Sequence, residues 1–266
     1  MSTDSRGPLY PARLPTFHRI PPAEPVSALV RWFWIPEWHL APGRTSRQHL
    51  ISYPACNVVV EAELVGISGP TTRASHRDLA GDGWAVGALL QPAAVRTFVD
   101  DPATVRDAYV PLDLPELQER VSSCMQRAGD ADERRRAAVA AFTDWLVVSV
   151  PPPDEEVLLA NRMAEIIDAD STLVRVGDVA DVVGVSVRTL QRLARRHVGV
   201  TPAAMIRRRR LQEAATRVRE EPETDLAALA ADLGYADQAH LAGEFRRVLG
   251  FTPSGYRRDA GRRASR

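Results

Sequence analysis

The chain has 266 residues, 45% hydrophobic and 26% charged, which is ordinary for a globular protein and long enough for two domains with separate cores. All 34 basic residues are arginine and they balance 34 acidic residues, but unevenly: residues 1–150 carry a net −2, residues 151–170 a net −5 and residues 171–266 a net +7. That asymmetry assigns any polyanionic partner to the C-terminal third, and two cysteines, Cys56 and Cys124, exclude a disulfide scaffold and indicate a reduced, cytoplasmic protein.

Residues 1–25 hold six prolines and little apolar pattern, so an extended arm is expected. The start, MSTDSRGPLY, has no basic start followed by an apolar run, so it is not expected to be a signal peptide. The run Trp145–Val150 is too short to cross a bilayer, so no membrane contact is expected. From Ser27 to about Val110 the signals are those of strands: ALVRWFWI, NVVVEAELVGI and WAVGALL, separated by Gly and Pro clusters. Short strands broken by turns predict a β-sandwich or small barrel.

After Asp113 the period becomes helical. Leu114, Leu117, Val121 and Met125 share one face, and Asp132–Val148 carries a stripe of Ala138, Phe142, Trp145 and Leu146. Pro151-Pro152-Pro153 cannot continue a helix, which places a linker there and divides the chain into residues 1–150 and 151–266. A helix over Glu155–Ile167 follows, with acids at its start as the helix dipole favours. Further helices are expected over Val176–Val183, Val187–His197, Pro202 to about Glu220, Leu226–Leu233 and Asp237–Leu249, with a last turn through Tyr256. Ser186, Thr201, Asp237 and Thr252 are the expected N-caps.

This region contains one design twice. Ser186, Leu190, Gly199, Thr201 and Pro202 recur 51 positions later as Asp237, Leu241, Gly250, Thr252 and Pro253. Each copy, about 176–197 and 226–249, reads as helix, tight turn, helix, with a long helix over 202–220 between them. In a helix-turn-helix the second helix enters the major groove of DNA. In the first copy Leu190, Leu193 and Ala194 form the inward side and Arg188, Gln191, Arg192 and Arg195 the outward side. Arg pairs with guanine and Gln with adenine in the major groove. In the second copy Leu241, Phe245 and Val248 turn inward, Gln238, Ala239, His240, Ala242 and Gly243 outward, and Arg246 and Arg247 lie nearer the phosphates. The run Arg207-Arg208-Arg209-Arg210, set between two groove readers, is expected to reach phosphates through some of its members.

Residues from about 171 to 258 resemble the DNA-binding domain of AraC/XylS-type transcription regulators, which is two helix-turn-helix units joined by a long helix. The resemblance rests on GVSVRTLQRLARRHVGVTP, on Arg207, Arg210-Leu211 and Ala214, and on LAALAADLGYADQAHLAGEFRRVLGFTPSGYRR. It implies base contacts by Arg188, Gln191 and Arg192 in the first unit, and base positions at Gln238, Ala239, His240 and Gly243 in the second. Ala239 and Gly243 have no side chain that reads a base edge, so only Gln238 and His240 remain there. Phosphate contacts are expected from Arg195, Arg207, Arg210, Arg246 and Arg247. The first unit is therefore expected to carry most base specificity and the second to anchor. Ala194 stands where the family often has a larger apolar residue, which loosens the first unit.

Residues 15–110 resemble a small β-rich domain found ahead of some members. The resemblance implies a cupin-like or jelly-roll-like fold with a sensing or dimerising role. Trp32, Trp34 and Trp84 are candidate contacts for a small-molecule effector, with core packing as the competing role. His18, His39, His49 and His76 lack metal-ligand spacing, no nucleophile motif or phosphate loop is present, and no cofactor is expected. The expected fold is α+β in two domains: a β-rich front with flanking helices and an all-α double helix-turn-helix back. The expected protein is not an enzyme. It binds double-stranded promoter DNA, with RNA polymerase and a second copy of the chain as partners. A constitutive regulator whose front half only dimerises, and an enzyme with an appended DNA module, are the alternatives.

Overall fold

The computed structural model describes residues 16–50, 53–221 and 223–264. Residues 1–15, which include the stretch tested for a signal peptide and most of the expected arm, lie outside them. Aromatic and β-branched residues build the front half. Strand β1 is Thr16–Ile20 and β2 is Val30–His39, with a 3-10 turn at Glu24–Val26 between them. Strands β3, Thr45–Leu50, and β6, Ser75–Ala80, form a two-stranded ribbon. Strands β4, Asn57–Glu61, β5, Val65–Ser68, β7, Asp82–Leu90, and β8, Tyr109–Leu112, complete a six-stranded sheet of order β1-β2-β7-β4-β5-β8. Every neighbouring pair is antiparallel. The arm expected to run through residue 25 is corrected here, because residues 16–20 pair with Phe33–Glu37 as an edge strand.

Side-chain parity divides the sheet into two faces. Phe33 and Ile35, Val58 and Val60, and Val86, Ala88 and Leu90 turn to one face and join the front core. Helices α2, Pro115–Met125, and α3, Ala131–Ser149, cover that face with Leu117, Val121, Phe142 and Leu146. Each such side chain contributes about 1.5–3 kcal/mol by leaving water. The β-rich front is as expected, but its second sheet is only the β3–β6 ribbon, and these helices supply the layer that the rest of a sandwich would.

On the other face Trp34 lies flat over Gly87, where a methyl group would meet the indole at 2.1 Å. Its Nε1 donates to Asn57 Oδ1 at 3.0 Å, and its ring stacks on Phe17. Trp32 shares this face and meets Tyr53 edge-on at 4.8 Å. Trp84, with the parity of Val86, packs against the core beneath the helices. Of the three tryptophans expected at an effector pocket, Trp32 and Trp34 thus share one side of the sheet and Trp84 takes the other. The sequence shows their alternation within a strand but not the pairing register that separates them.

Helix α3 ends at Ser149, residues 151–154 form neither helix nor strand, and α4, Glu155–Ala169, starts with Asp154 accepting from Val157 N at 2.9 Å. Then come α5, Val176–Val183, α6, Val187–His197, α7, Pro202–Glu220, α8, Leu226–Asp232, and α9, Gln238–Leu249. The last element, α10, spans Pro253–Ala264 and so exceeds the single turn expected. Its buried Tyr256 packs against Phe245, a long-range anchor that local sequence does not reveal.

Two cores share α7. Met205 and Ile206, in its first turns, belong with α4, α5 and α6. Leu211, Ala214, Ala215 and Val218 belong with α8, α9 and Tyr256.

The front half docks onto the first of these cores. Helix α1, Pro92–Phe98, lies on α4 and α6. Buried Asn161 of α4 accepts from Ala93 N at 2.9 Å and donates to Ala28 O at 2.8 Å. Arg31 pairs with Asp168, and Arg106 donates twice to the carbonyl of Gly199, at 2.8 and 3.2 Å. Gly199 has φ +81°, and a Cβ there would stand 2.6 Å from the Pro102 carbonyl carbon.

Gly184, at φ +82°, has open space where a Cβ would go. Gly184→Ala is therefore expected to cost only left-handed strain, about 1–2 kcal/mol. Gly199→Ala should lower the melting temperature further and expose residues 151–154 to limited proteolysis, because the Pro102–Ala103 backbone must also move. Equal melting shifts for the two variants would show that the junction is not packed in solution.

Candidate nucleic-acid interface

The two helix-turn-helix units are built by repeated local chemistry. Ser186 Oγ accepts from Thr189 N at 3.1 Å and starts α6; Asp237 Oδ1 accepts from His240 N at 2.7 Å and starts α9. Thr201 Oγ1 accepts from Ala204 N at 3.2 Å, and Thr252 Oγ1 from Gly255 N at 3.1 Å. Each cap meets a backbone donor that the first helical turn leaves open, typically worth about 1 kcal/mol. The inward sides are as expected: Leu190, Leu193 and Ala194 are buried in α6, and Leu241, Phe245 and Val248 in α9.

The outward sides carry the candidate readers. Arg188, Gln191 and Arg195 of α6 are exposed and make no hydrogen bond or ion pair among the described residues. Arg192 is different. Its Nη1 donates to Oε2 of Glu156, at the start of α4, at 2.9 Å. Arg196 Nη1 donates to Oε1 of the same carboxylate at 2.8 Å, and buried His197 places Nε2 3.2 Å from it. The hydrogen bonds from Arg192 and His197 hold the Glu156 carboxyl below the usual carboxylate range. Burial pulls His197 below the usual imidazole value, against the opposing pull of Glu156.

In α9, Gln238 is exposed and without such a partner among the described residues. His240 is exposed but held: its ring meets Tyr235 edge-on, and Nδ1 accepts from Ala236 N at 3.4 Å. Ala239 and Gly243 are exposed as expected. Arg247 is tied to Glu244 at 2.8 Å, whereas Arg246 is exposed with no ion pair among the described residues.

Of the arginine run on α7, expected to reach phosphates through some of its members, two arginines are buried and two hold partners at the surface. Arg208 is buried and donates to Thr71 Oγ1 of the front half. Arg209 is buried and donates to the carbonyls of Asp170 and Leu173, just past the end of α4. Arg207 pairs with Glu244 at 3.1 Å, and Arg210 stacks on Tyr235 with its guanidinium 4.0 Å from the ring centroid. Burial pushes the Tyr235 hydroxyl up to about 12, so beneath that guanidinium it is a neutral phenol. Successive helical residues step about 100° round the axis, so four consecutive arginines cannot all face one way. Sequence reasoning also missed Glu156, Glu244 and the capping role of Arg209. The only signal for Glu156 was its place in an acidic first turn, which the helix dipole already accounted for.

A cavity of about 30 Å³ lies at the junction of front and back, walled in part by Arg31, Tyr53, Gln91, Asp168, His197 and Arg209. That is room for about a water molecule or two, against the several hundred Å³ of a typical metabolite pocket. Among the described residues no group of three His, Cys, Asp or Glu side chains is placed to hold a metal ion, and no helix is long and apolar enough to cross a membrane.

Residues 179–259 match a family described as Helix-turn-helix domain, and residues 18–111 match Domain of unknown function (DUF6597). The transcriptional activator RhaS of Pectobacterium atrosepticum is 27% identical over 137 residues, 52% of this chain and 41% of its own length. A Streptomyces lividans protein named as an AraC-like transcription regulator is 39% identical over 83 residues, 31% of this chain and 27% of its own. The chain thus matches less than half the length of these curated relatives. Among solved structures, ToxT of Vibrio cholerae aligns with a TM-score of 0.46 and 10% identity over 85% of this chain and 97% of its own.

Arg209→Leu is expected to lower stability in urea unfolding by about 2–4 kcal/mol, because the Leu173 carbonyl loses its donor and the Asp170 carbonyl keeps only the 3.4 Å bond from Leu173 N. Arg207→Ala, which removes a half-exposed ion pair, should cost less than about 1 kcal/mol. The reverse order would mean that the run is a solvated face after all.

Proposed function

We propose that this protein is a sequence-specific DNA-binding transcription regulator of the AraC/XylS type, a reading supported by the match of residues 179–259 to a family described as Helix-turn-helix domain. The observation that carries the reading is the unpartnered row Arg188, Gln191 and Arg195 on the exposed side of α6, in a unit whose twin is held by the same helix α7. Guanidinium and carboxamide groups are the side chains that read guanine and adenine edges in the major groove. We assign base reading to Arg188 and Gln191, with Gln238 and His240 as the second unit's contributors; Arg192, tied to Glu156, is assigned no base. Arg195 and Arg246 are assigned to phosphates. Arg207, Arg210 and Arg247 reach phosphates only by giving up the partners described above.

The back half, residues 151–266, is the proposed DNA-binding domain and residues 1–150 the proposed regulatory domain. The partners proposed are promoter DNA, RNA polymerase and a second copy of the chain, in the cytoplasm. RhaS, the relative named as an activator, supports activation over repression. A small-molecule effector acting through the front half would need more room than the junction cavity offers in this conformation. The second reading is a constitutive regulator in which the front half only dimerises.

The test is selection of preferred duplexes from a random library by the full chain, followed by binding measurements across salt. Arg188→Ala and Gln191→Ala are each expected to reduce discrimination by about 1–3 kcal/mol at one base position. Arg246→Ala should weaken all duplexes alike and reduce the salt slope by about one. A chain that selects no sequence, or whose preference survives both first-unit variants while Gln238→Ala abolishes it, would refute this assignment.

A further inference from the structure

Arg188, Arg192 and Arg196 are spaced four apart on α6 and would form one continuous basic stripe. Glu156 divides it. Arg192 and Arg196 donate to its two oxygens at 2.9 and 2.8 Å, and His197 stands 3.2 Å away on the same edge. Arg188 is left out of this group, as are Gln191 and Arg195 on the neighbouring edge.

The helix dipole does not explain the arrangement. It favours any acid in the first turn of α4, and the adjacent Glu155 is exposed and makes no side-chain hydrogen bond or ion pair among the described residues. Glu156, by contrast, reaches a helix 36 to 41 residues further along the chain. Stability is also a weak explanation, because half-exposed ion pairs contribute little. Side-chain exposures of 52% and 50% for Arg192 and Arg196 leave both within reach of solvent and of a passing phosphate.

A recognition helix with an unbroken arginine stripe is attracted to any duplex, whatever its sequence. A carboxylate that already holds two of those guanidinium groups competes with the phosphates for them. We infer that Glu156 is a specificity-determining positioning residue: it keeps Arg192 and Arg196 off the phosphate backbone and leaves the first unit's DNA contacts to Arg188, Gln191 and Arg195. The second unit carries a related device in Glu244, which holds Arg207 and Arg247 and leaves Arg246 exposed.

This inference rests on the DNA-binding function proposed above. It is tested with the full chain and Glu156→Gln, by fluorescence anisotropy on a random-sequence duplex and on the best selected duplex, across sodium chloride concentrations. Glu156→Gln should bind the random duplex about ten-fold more tightly near 100 mM salt, with a log–log slope steeper by about 0.9–1.8, the value of one or two further phosphates. The selected duplex should gain less, so discrimination falls. Adding Arg192→Ala should remove about half of the extra slope. Arg192→Ala alone should leave discrimination within about three-fold, well under the loss of a true base contact.

An unchanged or shallower slope for Glu156→Gln on the random duplex overturns the inference. So does a loss of discrimination beyond about ten-fold in Arg192→Ala alone, which would make Arg192 a base reader. If Glu156→Gln fails to fold, Glu156→Asp keeps the charge but withdraws it by one methylene and should give a smaller steepening in the same assay. Failure of the functional reading looks different: the wild type then selects no sequence, while the steeper slope of the variant on random duplex is still measurable.

Discussion

The back half depends on one helix being buried twice. Helix α7 gives Met205 and Ile206 to the first core and Leu211, Ala214, Ala215 and Val218 to the second. Nineteen residues make it about 28 Å long, close to the 34 Å between successive turns of a major groove. Rotating or sliding it would empty one core to serve the other, and each large apolar side chain so exposed costs about 1.5–3 kcal/mol. Between the two stretches stand Arg208 and Arg209, one donating to Thr71 of the front half and the other to the carbonyls beyond α4. The helix is therefore positioned about its axis as well as along it. The placement of the two candidate readers follows from core packing, with no need for a stiff linker between independent units.

The second organising theme is how the arginines are spent. A net +7 over residues 171–266 suggests a strongly positive face. In the fold much of that charge is engaged: by Glu156, by Glu244, by the ring of Tyr235 and by main-chain carbonyls. What remains on the recognition helices without a partner among the described residues is Arg188 and Arg195 on α6 and Arg246 on α9. Formal charge therefore overstates the field that a polyanion would meet. An exposed ion pair does little for stability, but it decides which guanidinium groups are available without first breaking a contact.

Features set by local chemistry were legible in the sequence. Caps, left-handed glycines and the inward leucines act over three or four residues, so Ser186, Asp237, Gly184, Leu190 and Leu241 declared their roles and the elements fell close to where they were expected. Features set by distant partners were not legible. Strand β1 was hidden in a proline-rich stretch because its case rests on pairing with β2. Helix α10 was underestimated because its anchor, Tyr256, packs on Phe245. Trp84 and Trp34 part company only once β2 and β7 are set in register. Glu156 meets α6 because α4 packs beside it, and nothing in the residues around position 156 encodes that neighbour.

The turns that close α6 and α9 repeat as left-handed glycines, Gly199 at φ +81° and Gly250 at φ +82°. The front half approaches both. Arg106 binds the Gly199 carbonyl, and a methyl group at Gly250 would stand 3.7 Å from Ala74 Cβ. These approaches are made to main chain at the C-terminal ends of the two helices, while Arg188, Gln191 and Gln238 sit towards the opposite ends. Docking and reading thus draw on separate sets of atoms. Substitutions at Arg188, Gln191 or Gln238 therefore leave the main-chain atoms of this interdomain joint chemically unaltered.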